Sequence, residues 1–136
     1  MEPKQRYTFK KNEKLKSRKA IEQLFKEGQS FSNFPFRVLW KIAGSNSNPL
    51  QAGFAVGSKH FKKAVDRNRI KRLMREAYRL QKNELQQMLL QQQKSAIVFF
   101  IYVGNELPEY ESIFKKTGHV VSRLKKITDE NSVVDS

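Results

Sequence analysis

Residues 64–80 read AVDRNRIKRLMREAYRL, with Ile70, Leu73, Met74 and Ala77 at i, i+3, i+4 and i+7. This spacing predicts an amphipathic helix with one face against a core. At about 100° per residue, Asn68, Lys71, Arg72, Arg75, Arg79 and Lys82 fall on the opposite arc. Asp66 is placed to cap the helix by accepting unpaired backbone N–H groups. Arg67, Asn68 and Arg69 then occupy the first turn, where positive charge opposes the helix dipole. Such a misfit points to function more than to stability. Leu85, Met88 and Leu89 continue the stripe through ELQQMLLQQQK, so the helix is predicted to reach about Gln92.

The same reading covers the rest of the chain. Ser17 is a candidate cap for a short helix through Lys26, with Ile21, Leu24 and Phe25 on one face and Gly28 ending it. FPFRVLWKI alternates, with Phe36, Val38, Trp40 and Ile42 pointing one way and Arg37, Leu39 and Lys41 the other, as in a strand. The turn cluster AGSNSNP separates it from a second strand, QAGFAVG, and the two are expected to pair as a hairpin. AIVFFIYV, residues 96–103, reads as a buried strand. After GNELPEY comes a last helix over about 110–126, burying Ile113, Phe114, Val120, Val121 and Leu124. The organisation expected is one domain, residues 1–127, with an irregular basic arm over the first 16 or so. Residues 128–136 are expected to be a disordered acidic tail.

Charge narrows the function. The 136 residues carry a net charge of +14, which calls for a polyanionic partner. Ten Lys and Arg against two acids lie between Lys59 and Lys82, so +8 of that charge sits in one segment. A solvated helix face normally mixes signs for i, i+4 pairing, whereas a one-signed face suits phosphate contact and counterion release. Cysteine is absent, which excludes a disulfide framework and a thiolate metal site. The longest apolar run, eight residues, is far short of the roughly 20 that span a bilayer. The charged opening MEPKQRYTFKKNEKLKSRK has no signal-peptide pattern, so a cytoplasmic protein is expected. His60 and His119 show no metal-ligand spacing, and Glu76 and Glu84 read as charge balance. No side-chain set looks like an autonomous nuclease site.

GFAVGSKHFKKAVDRNRIKRLMREAYRL resembles the central signature of the bacterial ribonuclease P protein subunit, whose hallmark is an RNR sequence opening a helix, here Arg67, Asn68 and Arg69. The resemblance extends over about residues 6–126. It implies an α+β fold, a two-layer α/β sandwich of the ribosomal-protein-S5 type, with a four-stranded sheet and a left-handed βαβ crossover. It further implies a subunit that joins a catalytic RNA, binds precursor tRNA and promotes removal of the 5′ leader. The phosphodiester hydrolysis would lie mainly in the RNA, with Mg2+ held mostly by RNA, no metal identifiable in the protein, and the protein alone inactive.

Carried onto this chain, the RNR helix supplies Arg67, Asn68, Arg69, Lys71, Arg72 and Arg75 for the catalytic RNA, and the basic loop supplies Ser58, Lys59 and His60. The leader cleft maps to Ile21, Phe25, Arg37 and Leu39. Ile21 and Leu39 stand at positions that are often aromatic, so leader binding is expected to rest more on phosphate neutralisation than on stacking. Neither membrane nor DNA is an expected partner. A structural RNA-binding protein of ribosomal type shares the size, pI and arm and stays open as the alternative; the ordered RNR signature favours the first reading. A DNA reader would need a recognition helix flanked by a docking helix.

Overall fold

The computed structural model describes residues 7–44 and 48–134, with side chains to Glu130. The first six residues of the arm, positions 45–47 of the turn cluster and the last two residues lie outside it. The helices are α1 (Arg18–Glu27), α2 (Ala64–Gln81), α3 (Asn83–Gln91) and α4 (Tyr110–Val134), and the strands β1 (Gln29–Asn33), β2 (Phe36–Gly44), β3 (Leu50–Val56) and β4 (Lys94–Tyr102).

The strand order is β1-β2-β4-β3, with β4 antiparallel to β2 and parallel to β3. The expected β2–β3 hairpin does not form, because β4 lies between them. The reason is the composition of β4: Val98 and Phe100 are buried on one face and Phe99 on the other, so the strand belongs in the sheet's interior. β1, which pairs antiparallel with β2, escapes hydrophobic patterning because Phe31 is its only large apolar residue. The result is an α+β two-layer arrangement, with β3 and β4 joined through α2 and α3.

The strand registers sort the sheet into two faces. Phe36, Val38, Trp40, Val98, Phe100 and Tyr102 share one face and pack with Ile70, Met74, Ala77 and Tyr78 of α2, Leu85 and Leu89 of α3, and Ile113, Val120, Val121 and Leu124 of α4. Phe100 stacks on Phe54 at 5.1 Å and meets Tyr78 edge-on at 5.7 Å. The opposite face holds a smaller cluster of Leu15, Leu24, Leu39 and Phe99 beneath α1. Gly53 is required there, since a Cβ would stand 2.8 Å from the Phe99 ring.

Two helix boundaries differ from the sequence reading. The predicted long helix breaks at Lys82 into α2 and α3. α4 runs past residue 126 into the segment expected to be tail, because Ile127 extends its apolar stripe and buried Thr128 bonds back to the Leu124 carbonyl at 2.8 Å. Phe114 is at the margin of that stripe and is exposed. Ser17 caps α1 as expected, accepting from the Ala20 amide.

The arm from residue 7 onward is docked. Phe9 meets the Phe54 and Tyr78 rings edge-on. The Leu15 amide donates to the Ala52 carbonyl at 2.8 Å, joining the arm to the outer edge of β3. Glu13 receives the Lys82 ammonium at 2.6 Å, the Lys10 amide at 2.6 Å and the Gln86 amide nitrogen at 3.2 Å. Lys82, read from the sequence as part of the cationic arc, therefore points inward, its side chain only 3% exposed.

Burial pushes the Glu13 carboxyl up, but the bonds from Lys82 and the Lys10 amide, with the Lys82 charge, outweigh it and hold the group below 4.5. A depressed carboxylate stabilises the fold fully above its unfolded pKa, and that contribution is lost as pH falls through the folded value. Glu13→Ala, which leaves Lys82 buried without its countercharge, should cost about 3 kcal/mol or more. Thermal melts of the wild type should therefore show a steeper loss of stability from pH 5 to pH 3 than melts of Glu13→Ala; parallel curves would contradict the assignment.

Candidate nucleic-acid interface

Burial of Ile70, Met74, Ala77 and Tyr78 sets the rotation of α2. That rotation leaves Asn68, Arg69, Arg72 and Arg75 exposed and Lys71 half-buried. Among the described residues, none of Arg69, Lys71, Arg72 and Arg75 has a hydrogen-bond or ion-pair partner in the protein. The glutamates in ion pairs engage other cations: Glu27 with Lys41, Glu76 with Arg79, Glu84 with Lys125 and Glu13 with Lys82. Arg79 also donates to the Tyr7 carbonyl, so it braces the arm. The predicted arc of six thus becomes a smaller unpaired surface once Arg79 and Lys82 are turned to structural use.

The start of α2 also differs from expectation. Lys63, not Asp66, is the N-cap, and it makes no side-chain cap bond. Asp66 lies in the first turn, where its carboxylate complements the dipole, and Arg67, Asn68 and Arg69 fall beyond the three opening residues. The dipole misfit inferred from the sequence is therefore eased for Asn68 and Arg69, while the Arg67 charge is met by backbone carbonyls ahead of the helix. Arg67 is half-buried, and its guanidinium donates to the carbonyls of Phe61 and Lys62, both at 2.8 Å. It fastens the preceding loop to the helix.

Ser58, Lys59 and His60 are exposed in that loop. Beside them lies an open hollow of about 300 Å³, lined by Lys59, His60, Phe61, Ile101, Val103 and the neighbouring backbone. Phe61 is buried and anchors the loop by packing on Tyr102, ring centroids 6.0 Å apart.

The residues mapped to a cleft between α1 and the sheet divide into two kinds. Leu39 is buried under α1 with Leu24 and Phe99, so it supports the surface and does not open onto it as expected, while Ile21, half-buried, packs at the edge of the same cluster. Phe25 is 54% exposed and meets the edge of the Phe99 ring at 5.9 Å. Arg37 is exposed, with Ser32 and Ile101 as its cross-strand neighbours. The accessible sheet surface beyond α1 is thus the row Ser32, Arg37, Ile101 and Ala55, with Phe25 the exposed ring of the mapped set. Ser32 escaped the sequence reading because β1 itself did.

A family model described as Ribonuclease P matches residues 9–125. A ribonuclease P protein component from Porphyromonas gingivalis is 36% identical over 108 residues, covering 79% of each chain. The structure of the ribonuclease P protein from Thermotoga maritima superposes with a TM-score of 0.65 at 26% identity, covering 82% of this chain and 96% of that one. The Staphylococcus aureus ribonuclease P protein shares the fold, with a TM-score of 0.63 at 22% identity over 82% of this chain and 94% of that one.

The division of labour along α2 is testable. Arg67→Ala removes two bonds from a charged donor, worth about 1.5–3 kcal/mol each at most, and should lower the melting midpoint and speed hydrogen exchange in residues 61–63. Arg72→Ala and Arg75→Ala should leave both unchanged. Equal stability losses for all three would place the outward arginines in the fold.

Proposed function

This chain belongs to the ribonuclease P protein family, and from that membership we propose that it serves as the RNA-binding subunit of a tRNA-processing ribonuclease, promoting removal of the 5′ leader from precursor tRNA. The observation that carries this reading is the outward face of α2, where Arg69, Arg72 and Arg75 have no acidic partner among the described residues while the opposite face is locked in the core. Arginine pairs bidentately with phosphate oxygens, and each neutralised phosphate strengthens binding through counterion release. The catalytic RNA is the partner proposed for this face and for the basic loop at Ser58, Lys59 and His60.

The leader of precursor tRNA is assigned to the surface beside α1. Phe25 offers one ring for a base, and Arg37 supplies charge for the backbone. Cleavage itself is assigned to the RNA. Among the described residues, no three His, Asp or Glu groups come together in a way that could hold a metal ion. The Mg2+ of the assembled enzyme is assigned mostly to RNA, as the family resemblance implies. No helix among the described residues is long and apolar enough to cross a membrane, and the cytoplasm is the proposed compartment.

The test is reconstitution. Added to a ribonuclease P RNA at low magnesium, the protein should restore precursor-tRNA cleavage that the RNA alone performs poorly, and the RNA-free protein should show none. Failure to stimulate, with intact RNA binding, would favour a ribosomal type of role instead.

Phe25→Ala should weaken precursor binding in the reconstituted enzyme by up to the 1–3 kcal/mol typical of one base on one ring, roughly. Mature tRNA, which lacks the leader, should bind as before. Equal losses for the two tRNA forms would move the leader elsewhere.

A further inference from the structure

Between Tyr7 and Ala20 the chain carries six cations, Lys10, Lys11, Lys14, Lys16, Arg18 and Lys19, and a single acid, Glu13. Glu13 is turned inward onto Lys82, at 2.6 Å, and is buried. Five of the cations are exposed, Lys14 is half-buried over the Phe9 ring, and none of the six has an ion-pair partner among the described residues.

The segment is also held along its length. Phe9 packs on Tyr78 at 5.5 Å and Phe54 at 6.0 Å. The Asn12 carbonyl accepts from the Gln51 side chain, and the Asn12 side-chain amide donates to Asn48. Leu15 bonds to Ala52 and is buried with Leu24, Leu39 and Phe99. These anchors run from α2 and α3 across the outer edge of β3 to α1. The edge strand is thereby bridged at Ala52, and the cations of the segment are carried on this anchored backbone into the first turn of α1.

We infer that residues 10–19 form a pre-organised strap that binds RNA phosphates, joining the cationic face of α2 to the leader side of α1. A flexible basic arm loses conformational entropy on binding; a strap already ordered by the fold does not. The inward turn of Glu13 does two things at once: it removes the one negative charge from the outer surface and supplies the fastening. The inference rests on the proposed role as an RNA-binding subunit and adds a surface to it.

Two variants test it against a ribonuclease P RNA, with dissociation constants measured across a series of KCl concentrations. Lys11→Gln/Lys16→Gln/Lys19→Gln changes exposed side chains only. Its affinity should fall at least about tenfold near 0.15 M salt, and the slope of log K against log salt should shrink by about two to three, one per lost phosphate contact. Glu13→Gln/Lys82→Met leaves the net charge unchanged but removes the fastening. It should also bind more weakly, with faster tryptic cleavage between residues 10 and 19. An unchanged salt slope in the triple variant would overturn the phosphate strap, and wild-type affinity in the charge-neutral variant despite faster cleavage would overturn its pre-organisation. Should the charge-neutral variant fail to fold, the triple variant still decides. Absence of cleavage stimulation by the wild type would refute the functional reading separately, because the strap is read by affinity.

Discussion

Helix α2 buries Ile70, Met74, Ala77 and Tyr78 between the sheet and α4, and this burial decides which of its many charges meet solvent. Tyr78 lies at the centre of the arrangement. Its ring contacts Phe9 of the arm, Phe54 of β3 and Phe100 of β4, and burial, with the Glu13 charge nearby, pushes its phenol well up, so it remains neutral. One aromatic group thus ties together the arm, the parallel strand pair and the helix. Rotating α2 away from this contact would bury arginine and expose leucine or methionine, a change costing several kcal/mol for each charge taken from water.

That constraint sorts the cations by role. Those near the buried stripe or at helix ends become structural: Lys82 fastens Glu13, Arg67 fastens the loop and Arg79 braces Tyr7 and Glu76. Those on the outward face, Arg69, Arg72 and Arg75, are exposed without an acidic partner among the described residues. A basic protein can carry its charge diffusely; here the four glutamates in ion pairs, Glu76 of α2 among them, engage cations other than these three. The field of the outward face is correspondingly strong for an approaching polyanion.

Much of this was legible in the sequence. The i, i+3, i+4, i+7 spacing located α2 and its buried face, alternation located β2, and Ser17 and Gly28 bounded α1. The failures share a cause: each depended on a contact distant in sequence. The separation of β2 from β3 follows from β4, some forty residues on from β3, needing cover on both faces. Lys82 looked solvent-facing because its partner Glu13 lies 69 positions away. Arg67 fell within the RNR signature, and nothing in its local sequence showed that its guanidinium would close the loop on Phe61 and Lys62. In the cleft, Leu39 belonged to the correct sheet face, but its burial depends on how closely α1 and Leu15 approach. The cationic surface of α2 was therefore readable in sign and location, while the split between structural and outward arginines emerged only from packing.

The proposed function requires that Arg69, Arg72 and Arg75 meet RNA while other arginines stay in structural contacts. It is tested most directly by arginine-selective chemical modification of the protein, free and reconstituted with ribonuclease P RNA, with each modified site quantified by mass spectrometry. Arg69, Arg72 and Arg75 should react in the free protein and become protected by RNA. Arg123, which lies over the Phe31 ring at 4.2 Å on α4, should change little. Protection of Arg123 with undiminished reactivity at the three α2 arginines would contradict it.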